Sequence, residues 1–362
     1  MRRPRWLKIL VAVVGILAIV AILERDWTGA QLRAIAVLST TEQLPVLAWT
    51  VRAVTPEPRV EETIVGGAPS TLVRPGRGDG PWPAVVFVNG ATRRGRHHPK
   101  VQRLAEGLAR SGFLVVVPDL PGLRLGAITP ATKDATIRAA RATADRDDVR
   151  DGKVALNGVS VGATLALLAA ESPVLKGRLT IVGGQAPWVD LEKAIRLAFT
   201  GEYDGEPYEV DPYVRLAMAR SLATWMNSPL LEQLEAVDDN NPRPLAAVSG
   251  GDPLVRFLRN RDPDRFDELY ARLPEQVRVN VELLSPIHDA ERLDTPVELA
   301  TAPHDKYFPP AESHALARAA PDARVTVTST LDHAVPKLSL GDIGDLGRFD
   351  GFMVRYLHEA KG

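Results

Sequence analysis

The 362-residue chain contains no cysteine, which excludes disulfide bonds, thiolate metal sites and a cysteine nucleophile. Its 44 lysine and arginine residues nearly balance 45 aspartate and glutamate residues, and the two signs are interspersed. A net charge of −1 provides no basic surface for a polyanion, so we expect no nucleic-acid partner. Hydrophobic residues make up 45% of the chain, which is enough for a large globular core.

Long hydrophobic runs are scarce, and the longest uncharged one covers residues 9–23. Three arginines and a lysine precede it, and three charged residues follow it. We therefore predict a membrane anchor at residues 1–25, with the N-terminus cytoplasmic and the main domain extracytoplasmic. A helix over this run spans roughly 22 Å, which is short of the roughly 30 Å bilayer core. Secretion after cleavage of a signal peptide therefore remains the alternative.

Residues 26–58 are too polar for a second membrane span, and we interpret them as a stalk. The segments QLRAIAVL and PVLAWTVRAV have helical patterns. These helices could lie on the membrane surface or on the globular domain. Pro56 and Pro58 mark the boundary.

From residue 59 onward, strand-like runs alternate with helix-like segments. Continuous apolar runs are typical of strands buried on both faces of a parallel sheet. Two segments, VEETIVGG and STLVRP, resemble an antiparallel pair. We therefore predict a doubly wound, mostly parallel α/β sheet whose core has two parts, residues 59–184 and 286–362. The predicted parallel strands cover residues 83–90, 112–120, 153–158, 178–184, 296–301 and 324–330, and the predicted helices cover residues 99–111, 132–146, 161–171, 311–319 and 343–357.

The stretch KVALNGVSVGATLALLAA places a Gly-x-Ser-x-Gly sequence between a predicted strand and a predicted helix. Glycines at such a sharp turn permit close approach of the backbone, and the serine hydroxyl is presented above the sheet. We predict Ser160 to be a nucleophile on this elbow, with Gly158 and Gly162 as the elbow glycines. The alternative is that Ser160 only caps the following helix.

A serine nucleophile needs a base, and the base needs an orienting carboxylate. Asp305 follows the predicted strand 296–301, and His333 follows the predicted strand 324–330. Both residues should therefore lie at the carboxyl edge of the sheet, where open α/β sites form. We predict Asp305 and His333 to complete a catalytic triad, and His304 and Asp332 remain as competitors.

The tetrahedral intermediate of acyl transfer needs an oxyanion hole. The turn Asn89-Gly90-Ala91 follows the first long parallel strand, and Val161 follows the predicted nucleophile. We predict that the backbone amides of Ala91 and Val161 form this hole. The basic residues after the turn could hold an anionic substrate group, although a solvated loop is the simpler interpretation.

Residues 185–285 lie between the two parts of the core and contain several segments with apolar residues at i, i+3, i+4 spacing. We predict a helical lid over Ser160. Aromatic and methionine side chains of this segment could line the site or form the lid's own core; they are Trp188, Phe199, Tyr213, Trp225 and Met226.

Together these segments resemble the alpha/beta-hydrolase superfamily. The resemblance rests on VFVNGATRRGRHHPKVQRLAEGLARSGFLVVVPDLPG, VALNGVSVGATLALLAA, LDTPVELATAPHDKYFPP and LDHAVP. The first segment is most similar to dienelactone-hydrolase-like and acyl-peptidase-like members. The chain departs from them in having Asn-Gly where many members have His-Gly, and serine where dienelactone hydrolases use cysteine. The substrate of that subfamily is therefore not implied.

We expect a serine hydrolase that cleaves a carboxylic ester, thioester or related acyl bond of a small molecule through an acyl-enzyme. No metal or organic cofactor is implied, and the membrane is a partner only through the N-terminal helix. The oligomeric state is left open. A peptidase or acyltransferase with the same triad, or a non-catalytic binding protein on the same fold, remains an alternative.

Overall fold

The computed structural model of the protein describes residues 25–242, 253–337 and 343–362. The predicted membrane anchor, residues 1–25, lies outside this part of the chain except for its last residue. Within these three ranges, no helix is both long enough and apolar enough to cross a bilayer. The anchor therefore stays a prediction.

The core is an eight-stranded sheet with the order β1-β2-β4-β3-β5-β6-β9-β10. β1 and β2 form the predicted antiparallel pair, β2 pairs antiparallel with β4, and all remaining pairs are parallel. The mostly parallel sheet predicted from the sequence is thereby confirmed. Its strands are β1 (Arg59–Val65), β2 (Ala68–Arg74), β3 (Trp82–Val88), β4 (Leu114–Pro118), β5 (Val149–Val159), β6 (Leu179–Gln185), β9 (Val297–Thr301) and β10 (Ala323–Val327).

Helices cover both faces of the sheet because its strands are apolar on both sides. One face packs against α1, α3 and α13, and the other packs against α4 and α5. All ten residues of α5 are buried, which explains its lack of any polar face. The helices of the core are α1 (Arg25–Thr41), α2 (Pro45–Val54), α3 (Pro99–Arg110), α4 (Pro130–Ala144), α5 (Val161–Ala170), α12 (Pro310–Ala319) and α13 (Ile343–Glu359).

The predicted stalk contains two helices with different surroundings. Ala30, Ala34 and Val37 of α1 have no exposed surface and pack into the core. The contact with α3 is close, because a Cβ added at Gly107 would lie 3.1 Å from the Val37 Cα atom. α1 thus lies on the globular domain, which was one of the two positions left open by the sequence. In α2, by contrast, Trp49 is 71% exposed.

Between β6 and β9 the described residues form six helices and a small hairpin, which we call the insertion. Its own core is aromatic: Phe257 lies 5.2 Å from Phe199 and 5.5 Å from Phe266, measured between ring centroids. The elements are α6 (Leu191–Thr200), β7 (Glu202–Tyr203), β8 (Glu206–Pro207), α7 (Pro212–Trp225), α8 (Leu230–Glu235), α9 (Pro253–Arg259), α10 (Phe266–Ala271) and α11 (Glu275–Leu283).

Two buried charged side chains join the insertion to the core. Arg220 of α7 has no exposed side-chain surface and donates to Leu125 O, Leu234 O, Val237 O and Asp239 Oδ1, at 2.7–3.0 Å. These acceptors satisfy the buried guanidinium, which would otherwise be costly to bury.

Glu312 of α12 is the second link. Its Oε2 accepts from the amides of Val189 at 2.7 Å and Asp190 at 2.9 Å, and its Oε1 accepts from the Tyr203 hydroxyl at 2.7 Å. Burial raises the pKa of this carboxyl group, and the three donors oppose that shift. Glu312 thereby fixes the start of α6 and the hairpin β7–β8 against the core.

Candidate active site

Ser160 lies at the sharp turn between β5 and α5, with φ of 54° and ψ of −128°. The flanking glycines are sterically required. A Cβ at Gly158 would lie 2.2 Å from Gly162 O, and a Cβ at Gly162 would lie 2.0 Å from Val88 O. The Ser160 side chain makes no capping hydrogen bond to α5. The geometry therefore matches an elbow and gives no support to the capping alternative.

Asp305 and His333 are in direct contact at the carboxyl edge of the sheet. His333 Nδ1 lies 3.0 Å from Asp305 Oδ1 and 2.9 Å from Oδ2. The Asp305 side chain has no exposed surface, and its Oδ1 also accepts from the amides of Tyr307 at 2.8 Å and Phe308 at 3.2 Å. These donors fix the orientation of the carboxylate, which in turn holds the imidazole in one orientation.

His333 occupies a two-residue turn between β11 (Leu331–Asp332) and β12 (Val335–Pro336), with φ of 53°. Tight hairpins of this length use positive φ values. The Tyr307 ring stacks on the imidazole at a centroid distance of 4.0 Å. His333 Nε2 is buried and has no hydrogen-bond partner among the described residues. It lines the same cavity as Ser160, so this nitrogen is free to serve the serine hydroxyl or a substrate atom.

The two competing residues lie outside this arrangement. His304 is exposed, and Asp332 forms an ion pair with Lys337 at 2.5 Å with both side chains largely in solvent. Neither makes the contact found between Asp305 and His333. Within the described ranges, no group of three or more histidine, aspartate or glutamate side chains could hold a metal ion.

The predicted oxyanion residues lie beside Ser160. A Cβ at Gly90 would be 3.5 Å from Ser160 Cβ, and Ala91 and Val161 line a small cavity together with Ser160. Asn89 Nδ2 donates to Gly90 O at 2.8 Å. Since the peptide bond is planar and trans, this contact also fixes the direction of the Ala91 amide. The Val161 amide belongs to the first turn of α5, whose N–H groups have no intrahelical acceptor.

Two of the basic residues after this turn, Arg93 and Arg96, form ion pairs and hydrogen bonds within the protein. Arg93 donates to Asp239 Oδ2 at 3.0 Å and also contacts Asp239 Oδ1 at 3.2 Å. Arg96 pairs with Glu62 and donates to Thr71 Oγ1 at 2.7 Å. These contacts favour a structural role for both arginines over binding of an anionic substrate group.

Two cavities meet at Ser160. The larger, of about 290 Å³, extends between α1, α3 and α13 and includes Leu38, Phe87 and Met353 in its wall. The smaller, of about 30 Å³, lies on the side of the insertion and includes Trp188 and Met218. Ser160 is therefore open to an apolar space on each side.

The aromatic residues singled out in the insertion have different positions. Trp188 and Tyr213 line the small cavity at Ser160, whereas Phe199 lies in the insertion's own core. Trp225 Nε1 donates to Ile128 O at 2.6 Å, and Met226 packs against the main core.

The Tyr213 hydroxyl is buried without a hydrogen-bond partner among the described residues, and burial raises the pKa of this side chain. From its sequence context, Tyr213 was predicted only as part of an apolar wall or of the lid's own core. Tyr213 also lines the larger cavity, and α1 forms part of the wall of that cavity. The sequence did not assign α1 to the site.

The chain is similar to known proteins in sequence profile and in fold. The profile of the alpha/beta hydrolase family matches residues 85–339. No curated protein matches the chain. The rice cell wall degrading esterase LipA from Xanthomonas oryzae is similar in structure, with a TM-score of 0.52 at 17% identity over 82% of this chain and 87% of that chain.

Two further solved structures are similar. Dipeptidyl peptidase 4 from Porphyromonas gingivalis has a TM-score of 0.50 at 12% identity, over 86% of this chain and 37% of that chain. Dienelactone hydrolase from Anabaena variabilis has a TM-score of 0.47 at 13% identity, over 83% of this chain and 97% of that chain. At these identities the likeness concerns the fold alone.

Proposed function

The chain belongs to the alpha/beta hydrolase family, and from this premise we propose that it is a serine hydrolase of carboxylic esters, thioesters or related acyl bonds. The observation that carries the proposal is the contact of His333 Nδ1 with the buried Asp305 carboxylate beside a serine on a strained turn. His333 Nε2 is buried without a partner in the cavity that Ser160 also lines, and a purely structural serine would not account for this.

In the proposed acylation step, Ser160 Oγ attacks the carbonyl carbon of the substrate while His333 Nε2 accepts the hydroxyl proton. The carbonyl oxygen becomes an oxyanion, which accepts hydrogen bonds from the amides of Ala91 and Val161. The tetrahedral intermediate then collapses. The bond to the leaving group breaks, and His333 returns its proton to that group, which leaves as an alcohol or thiol.

In the proposed deacylation step, water replaces the leaving group. His333 Nε2 takes one proton from the water as its oxygen attacks the acyl-enzyme, and the second tetrahedral intermediate uses the same two amides. Collapse breaks the acyl bond to Ser160 Oγ, which regains the proton from His333. The products are the carboxylic acid and the free enzyme.

The insertion is proposed to act as a lid that limits access of water and substrate to Ser160. Trp188 and Met218 support this role, because they line the small cavity at the serine. The same triad could transfer the acyl group to an amine or a second alcohol, or cleave a peptide. A non-catalytic binding role on this fold is the remaining alternative.

Covalent labelling tests the proposal. We expect a fluorophosphonate probe to label the wild-type protein, because its adduct with Ser160 imitates the tetrahedral intermediate. Ser160→Ala should abolish both labelling and hydrolysis of p-nitrophenyl acetate while the protein remains folded. Labelling that persists in Ser160→Ala would place the nucleophile elsewhere. A folded wild-type protein that neither reacts with the probe nor hydrolyses any ester would favour the binding role.

A further inference from the structure

The larger cavity at Ser160 is apolar along most of its length. Its deep wall is formed by Leu38 of α1, Phe87 of β3, Leu104 of α3, and Phe349 and Met353 of α13. These side chains contribute no hydrogen-bonding group, so burial of an aliphatic or aromatic group is the interaction that this wall can offer. Ser160 and His333 lie in the same cavity, so a group bound here can be part of the reacting molecule.

The surroundings differ on the other side of the oxyanion turn. A cleft that shares Ala91 and Tyr213 with the cavity is lined by charged and amide side chains, including Arg94, Asp239 and Asn240. A polar leaving group can be solvated there, whereas an apolar chain would gain nothing. The space beside Trp188, of about 30 Å³, has about a tenth of the volume of the larger cavity. Of these three spaces, the larger cavity is the one whose size and polarity suit an apolar chain.

The wall supplied by α1 lies outside the family match, which begins at residue 85. Val37 of this helix has no exposed surface, and the adjacent Leu38 is partly buried against the cavity. Glu42, at the end of α1, pairs with Lys100 of α3 at 3.2 Å, with both side chains partly exposed. α1 is thus both packed on the core and in contact with the cavity.

We propose that the cavity binds the acyl chain of the substrate, and that α1 sets the length of chain accepted. The proposal rests on the serine hydrolase function proposed above. The cavity, of about 290 Å³, has about ten times the volume of the space beside Trp188, and α1 forms part of its wall, so this helix can limit the length of an aliphatic chain. The substrate class is an ester of an aliphatic acid of medium length with a polar alcohol.

The test compares p-nitrophenyl esters from acetate to decanoate, which share one leaving group. In the wild type we expect kcat/KM to rise by up to about fourfold for each added methylene until the cavity is full. Leu38→Trp should fill the cavity and lower the ratio of octanoate to acetate kcat/KM at least tenfold. Leu38→Ala should move the optimum to a longer chain. Ile35→Trp changes a 39% exposed position on the same helix and should leave the wild-type profile unchanged.

A binding measurement separates failure of this inference from failure of the proposed function. Ser160→Ala cannot hydrolyse methyl octanoate through the proposed mechanism, so calorimetry can measure its binding. We expect binding that is at least tenfold weaker when Leu38→Trp is added. If the octanoate-to-acetate ratio and this binding are both the same with and without Leu38→Trp, the acyl chain lies elsewhere. Binding that depends on Leu38 in a protein without any esterase activity would retain the cavity assignment and refute the hydrolase.

Discussion

Ser160 lies between two regions that are held in place in different ways. The Asp305 carboxylate is fixed by amides two and three residues further along the chain. The insertion, in contrast, is fixed by contacts between distant residues, such as that of Glu312 with Val189, 123 positions apart. Local contacts thus orient the Asp305 carboxylate, whereas long-range buried contacts hold the insertion beside the site. Changes in the two regions should therefore affect different properties.

The largest effect is expected from Asp305→Asn, which replaces the carboxylate that contacts His333. The asparagine amide would donate to His333 Nδ1 and favour the tautomer that cannot take the serine proton at Nε2. We expect kcat for p-nitrophenyl acetate to fall about 10⁴-fold, while the guanidinium midpoint changes little. Asp332→Asn is the matched control, because Asp332 directly precedes His333 in the chain and its side chain is largely in solvent. Loss of activity in the control alone would mean that Asp332 is the carboxylate of the triad.

The second prediction concerns the buried contacts that hold the insertion. The expected change is in the free energy of unfolding. Arg220→Met removes a fully buried guanidinium and leaves Asp239 and three carbonyl groups without it. We expect the free energy of unfolding to fall by about 3 kcal/mol, measured by guanidinium denaturation. Arg93→Met removes a 46% exposed partner of the same Asp239, and its loss should stay below about 1 kcal/mol. Equal losses in the two variants would contradict the special role assigned to the buried arginine.

A third effect is expected at a buried ionisable group that is not satisfied in this way. Burial raises the pKa of Glu171, at the end of α5, to about 8, and its Oε1 has no partner among the described residues. Between the ordinary value of 4.5 and about 8, the native state holds a proton that the unfolded state has released. The wild-type stability should therefore decrease as pH rises through this window.

Glu171→Gln removes the titration and should make stability independent of pH at this position. We expect the stability of the variant relative to the wild type to be greater at pH 8.5 than at pH 5, because only the wild type must ionise a buried carboxyl group. Guanidinium midpoints at the two pH values measure this. A constant difference between variant and wild type at both values would show that Glu171 is not held protonated by burial.

The sheet was predictable because strands buried on both faces appear as continuous apolar runs. The run at residues 112–120, for example, contains β4 at Leu114–Pro118. The positions of Asp305 and His333 were predictable for a related reason, since each follows such a run and parallel strands end at one edge. The structure has the two side chains in contact, and their catalytic roles remain proposals.

The contacts of the insertion and of α1 could not be predicted in the same way. Arginine is rarely buried, so nothing in the sequence around Arg220 indicated its position in the interior. For α1, a signal was present: Ala30, Ala34 and Val37 have the i, i+4, i+7 spacing of a buried helical face. The polar residues between them favoured the interpretation as a stalk. Which cavity α1 would border depended on the packing of α3 and α13, which are distant in sequence.

The backbone of Ser160 has a consequence for how this protein can change. A φ of 54° with a ψ of −128° is a conformation that glycine adopts freely and that costs serine about 1–3 kcal/mol. Selection for thermal stability alone would therefore favour replacement of the very residue that the proposed chemistry requires. Retention of a serine at this position is the outcome expected under selection for turnover, at the expense of stability.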